Sequence, residues 1–148
     1  MSYFLPLPLT LHLLAAIAFV GTVFFEVIML PGIRRRLPAD VMREIERALG
    51  NRATAIMPWV LLTLYAAGLA LAWQHRGALA APLASTFGAL LSLKILLALS
   101  VFGHFCTAML WRRRGLLSGR RSRVLHRSVF CHALLIVVLA KAMWFLNG

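Results

Sequence analysis

Four long apolar runs, separated by short polar segments, set the pattern of this chain. They cover residues 9–30, 53–73, 82–111 and 124–146. Each reaches the roughly 20 residues that an α-helix needs to cross the hydrocarbon of a bilayer. The third is longer than that, so its first turn is expected outside the hydrocarbon or the helix tilts. The runs are rich in Leu and Ala and lack the alternation over about ten residues that marks a membrane β-strand. Small residues recur where helices could approach closely, in YAAGLALA (65–72) and at Gly88 with Ser92. No internal repeat stands out. The pattern predicts an all-α fold: one transmembrane domain over 1–148, built as an integral membrane four-helix bundle.

Between the first two runs, PADVMREIERALG predicts a short amphipathic helix over 40–49. Asp40 is expected to cap it, Val41, Ile45 and Leu49 to share its apolar side, and Gly50 to end it. Such a helix suits a position on anionic headgroups, with a partner-binding element as the alternative.

Composition agrees with a bilayer as solvent. The 148 residues are 61% hydrophobic, more apolar surface than a soluble domain of this size can bury. The net charge of +12 would otherwise suggest nucleic acid. Here the basic residues flank the apolar runs, so nucleic acid is not the expected partner. Thirteen of the fourteen Arg fall after the first and third runs, and only Arg76 lies between the second and third. Positive charge stays on the cytoplasmic side, which predicts both termini on the outer face of a bacterial inner membrane. The first run has no basic residue before it and is not expected to be a cleaved signal peptide.

Ionisable residues inside such runs are costly and mark candidate chemistry. They are His12, Glu26, Lys94, His104, His132 and Lys141, with Cys106 and Cys131 nearby. If the third turn centres in RRRGLLSGRRSR (112–123), residues at equal depth pair His104 with His132, Cys106 with Cys131, and Lys94 with Lys141. His104 and His132 are then candidate axial ligands of a b-type haem held between helices. His104 and Cys106 point about 160° apart at 100° per residue, which disfavours a zinc site made of two His and two Cys. His12 and Glu26 fall within roughly 40° of one face, so the pair suggests a proton path serving a buried redox centre. The plainer readings are helix-to-helix hydrogen bonds for the histidines, small apolar side chains for the cysteines, and a snorkelling anchor for Lys141. The six Met are dispersed and read as packing rather than as a copper(I) cluster.

The opening LHLLAAIAFVGTVFFEVIMLP, the lysine in SLKILLAL and a final helix closing with Lys resemble the CopD-like and HemJ-like membrane proteins across nearly the whole chain. The resemblance implies one of two activities. HemJ-like proteins are b-haem oxidases of protoporphyrinogen, whereas CopD-like proteins serve copper resistance and uptake. It makes His12 and Lys94 functional and matches His104 approximately. The expected protein is an inner-membrane b-type haem redox protein that oxidises a porphyrinogen-like or other small reductant, with quinone or a redox protein as acceptor. His12, His104 and His132 would be the haem or metal ligands. Lys94 would hold a propionate or anionic substrate group, and Glu26 would relay protons. A copper-binding or transport protein, and an accessory subunit without catalysis, are the alternatives; homo-oligomers are compatible with all three.

Overall fold

The computed structural model describes residues 6–146. Among them there are helices and turns but no strands, as the apolar runs require. Four helices are long and apolar enough to cross a membrane: Pro6–Arg34, Ala39–Gln74, Thr86–Arg113 and Gly119–Leu146. Large apolar side chains on them face outward, Leu69 and Ile17 among the most exposed. That surface calls for lipid rather than water. The chain divides into two compact units between Gln74 and His75.

The first unit is a helical hairpin. Helix α1 (Pro6–Phe24) passes through a wider π-turn (Phe25–Met29) into the short α2 (Leu30–Arg34). Pro31 explains the widening. It has no N–H to give the carbonyl four residues earlier, so the ladder shifts, and the Leu30 N–H bonds Phe25 O five residues back. Ala15, Phe19, Val23 and Leu30 are buried, a spacing that lines one face of a helix. The chain then turns and packs α1 against α3 (Ala39–Gln74). Arg34 closes the turn by an ion pair with Glu46, its Nε 2.8 Å from the carboxylate.

Helix α3 corrects the expected boundary at residue 50. The amphipathic segment and the second apolar run form one helix of 36 residues. A mid-helix Gly costs only about 1 kcal/mol relative to Ala, and nothing at Gly50 forces a left-handed turn. At 1.5 Å per residue the helix is about 54 Å long, well beyond the roughly 30 Å of hydrocarbon. Its Arg-bearing first turns therefore project from the apolar span. Asp40 lies inside the first turn rather than capping it, where a carboxylate still complements the helix dipole. Met42, not Val41, is the buried residue of that segment.

The second unit opens with α4 (Arg76–Ala80) and a 3-10 turn (Pro82–Ala84), so the third run becomes helical only at α5 (Thr86–Arg113). Ser85 caps α5, its Oγ accepting from the Gly88 N–H at 3.0 Å. A side chain at Gly88 would meet Ala78 O at 2.9 Å and Pro82 O at 3.0 Å; this glycine lets the preceding turns cross over the start of α5. At the other end Gly115 adopts φ +67°. The Leu116 N–H returns to Trp111 O and the Gly115 N–H to Arg112 O, the paired bonds of a Schellman cap. Ser118 then caps α6 (Gly119–Leu146), its Oγ accepting from Arg121 N at 3.3 Å. The true turn is therefore residues 114–118, shorter than the arginine-rich segment suggested. Helix α6 packs back on α5 around the buried Leu91, Val101, Val129 and Ala133.

Candidate functional site

In the first unit His12 is half-buried against α3. Its Nδ1 lies 3.0 Å from Leu64 O, and a carbonyl only accepts, so Nδ1 carries the proton and the lone pair is on Nε2. The ring lies over Gly68, where a Cβ would stand 3.1 Å from Cε1 and 3.2 Å from Nδ1. Gly68, one turn beyond Leu64, is thus the floor on which the imidazole rests. The small-residue stretch and His12 are each legible in the sequence; that the one seats the other is not.

The second unit holds a different arrangement. The His104 Nδ1–H donates to Ser100 O, and the His132 Nδ1–H to Ser128 O, each at 2.7 Å and each within its own helix. Both lone pairs therefore sit on Nε2. Across the interface the Ser128 hydroxyl donates to His104 Nε2 at 2.9 Å, and the Ser100 hydroxyl to His132 Nε2 at 3.2 Å. Four residues thereby close a ring of four hydrogen bonds in which each histidine is oriented by one helix and capped by the other.

Local sequence explains the symmetry. SVFGH (100–104) on α5 recurs as SVFCH (128–132) on α6. Two pentapeptides identical at four of their five positions meet about a local two-fold axis on antiparallel helices, with Val101 and Val129 buried beside the ring. The repeat is five residues long and occurs once more, too short to register as a repeat architecture.

In this packing His104 and His132 do not face one another as two axial ligands of one haem would; each ring meets a serine of the other helix instead. The shorter turn shifts the register, so each histidine is level with a serine of the other helix. The two rings lean towards one another, their centroids 5.3 Å apart and their planes inclined by 54°. Serine hydroxyls occupy both Nε2 atoms. A haem ligated by both would require both cross-helix bonds to break and the helices to part. The His12 tautomer, like those of His104 and His132, is set by a main-chain carbonyl, an arrangement common among metal-bound histidines.

The remaining candidates are spread out. Lys94 is partly buried in α5, and among the described residues it has no hydrogen-bond or ion-pair partner. Glu26 lies half-buried within the π-turn of the first unit, where a count of 100° per residue from His12 no longer gives its direction. Such turns are frequent at functional positions. Cys106 and Cys131 are both free and exposed. Lys141 is exposed, its Nζ 5.1 Å from the Phe145 ring centroid one turn on. Among the described residues no three His, Cys, Asp or Glu side chains gather as a metal cluster. Ser100, Ser128 and Gly68 are the site residues that sequence reasoning missed.

No protein-family model, curated protein or solved structure matches the chain.

Proposed function

We propose that this is a multi-pass membrane redox protein that binds one b-type haem through His12, in keeping with its HemJ-like and CopD-like sequence features. The observation that carries the reading is the His12 imidazole, fixed by Leu64 O and seated on Gly68. Bound haem would supply one-electron chemistry for a small reductant, with quinone as acceptor. The chain's own part is to orient the Nε2 lone pair and exclude water around it. Glu26, placed in a π-turn, is the proton carrier in this reading. Lys94 is its cation for an anionic group of ligand or substrate. His104 and His132 are not ligands here; their ring holds α5 to α6.

The test is the absorption spectrum and haem content of protein purified in mild detergent. One b-type haem per chain is expected, lost in His12→Ala and kept in His104→Ala and His132→Ala. Haem-free protein, or haem lost with His104 and kept without His12, overturns the assignment. Bound copper with no haem would favour the copper-handling alternative.

The same reading places both termini on the outer face, because thirteen of fourteen Arg lie in or beside the other two turns. A membrane-impermeant thiol reagent checks this in intact cells, with Cys106 and Cys131 replaced by Ala. Ala78→Cys should label and Ser118→Cys should not; the reverse pattern inverts the topology.

A further inference from the structure

The four carboxylates of the chain, Glu26, Asp40, Glu44 and Glu46, all precede residue 75. The second unit therefore carries ten Lys and Arg and no Asp or Glu. Seven of those cations, Arg112–Arg114, Arg120, Arg121, Arg123 and Arg127, lie in or beside the α5–α6 turn. The other hairpin turn is built differently, since Arg34 there has Glu46.

Helix polarity sharpens the imbalance. Arg112 and Arg113 close α5, where cations suit the negative end of the helix dipole. Arg120, Arg121 and Arg123 open α6, where the dipole favours anions and the first turn has no acidic residue. Arg121 is committed to the turn itself, donating to Leu116 O at 2.8 Å with its guanidinium 5.3 Å from the Trp111 ring centroid. Arg123 folds back over the first residue of α6, its Nη1 3.4 Å from the position a Gly119 Cβ would take. Arg114, Arg120, Arg123 and Arg127 are exposed. The result is a corner of hydrogen-bond donors with no acidic side chain of its own unit to neutralise it.

Depth selects the anion. This turn joins two helices long and apolar enough to cross a membrane, which puts it beside lipid headgroups, where phosphates are the concentrated acceptors. Guanidinium groups pair phosphate oxygens through two parallel N–H bonds. We propose that the α5–α6 turn is a docking site for anionic phospholipid headgroups, held chiefly by Arg114, Arg120 and Arg123. The proposal stands independently of haem binding.

The test uses the full chain in non-ionic detergent, titrated separately with cardiolipin, phosphatidylglycerol, phosphatidylcholine, inorganic phosphate and a short RNA. Binding is read by retained ligand in native mass spectrometry and by the thermal unfolding midpoint. The two anionic lipids should bind roughly tenfold or more tightly than phosphatidylcholine and weaken as salt is raised. The triple variant R114Q/R120Q/R123Q should lose that preference, and R114K/R120K/R123K should keep part of it. Should the triple Gln variant fail to fold, the single variants R114Q, R120Q and R123Q decide in its place, each expected to lose part of the preference; single variants that all keep it in full overturn the proposal. Equal binding of phosphatidylcholine, or a folded Gln variant that keeps its preference, overturns the proposal. So does displacement by equimolar inorganic phosphate, which would identify a free-anion site, or tighter binding of the RNA.

Discussion

Gly68→Val is expected to empty the His12 site while leaving the α1–α3 hairpin folded. The His12 ring is pinned at one edge by its 3.0 Å bond to Leu64 O. A Cβ on residue 68 would stand 3.1 Å from one ring atom and 3.2 Å from another. For Gly68→Ala two effects oppose. Alanine favours the helix by up to about 1 kcal/mol, while the ring must move a few tenths of an ångström and lengthen its bond. Stability should then stay within about 1 kcal/mol, with most of the haem retained. Valine adds two methyl groups where the imidazole lies, and no comparable movement clears them. His12 must rotate off Leu64, and the oriented Nε2 is lost. Haem per chain should fall close to zero in Gly68→Val, with helix content by circular dichroism unchanged. Full haem in a folded Gly68→Val protein would mean that His12 is not the ligand.

The serine–histidine ring of the second unit should behave as one energetic unit. Removing the Ser128 hydroxyl leaves the His104 Nε2 lone pair without its donor. Removing the His104 ring leaves a hydroxyl that can turn back to a carbonyl of its own helix. Hydrogen bonds between membrane helices are worth about 0.6 kcal/mol on average and up to about 1.7, and an orphaned acceptor in hydrocarbon adds to the loss. Ser128→Ala should therefore cost about 1–2 kcal/mol by itself, but almost nothing on a His104→Ala background. The pair Ser100 and His132 should show the same coupling. Double-mutant cycles of unfolding in mixed micelles measure it directly. Additive costs would show that the hydroxyls and rings do not support one another, and that valine and alanine packing alone holds the interface.

The histidines themselves stood out in the sequence because ionisable side chains are rare in apolar runs. In the structure their direct partners are serines rather than one another. The middle of the arginine-rich segment predicts one level pairing, but the turn is 114–118, and that shift brings serines level with the rings. The repeated SVFxH carried that information. A serine four residues before a histidine lies on the same helix face, and two such pairs on antiparallel helices can exchange hydroxyls. The long α3 shows the opposite kind of difference: the start expected at Asp40 agrees with the structure, but the local stop signal at Gly50 suggests a boundary that helix continuity overrides.

Sequence by itself determined the helical class and the membrane environment. Twenty-residue apolar runs, and carbonyl and amide groups that hydrocarbon cannot satisfy, admit few other structures. It also determined the Arg-rich turns and the short list of polar intruders, since both follow from residue type and position along the chain. The tertiary structure alone decided which atoms those intruders meet. Gly68 under His12, the register of α5 against α6, and the proton on Nδ1 of three histidines depend on which carbonyl or hydroxyl lies within about 3 Å. A hydrogen bond is directional and short, whereas the hydrophobic pattern fixes only which face turns inward.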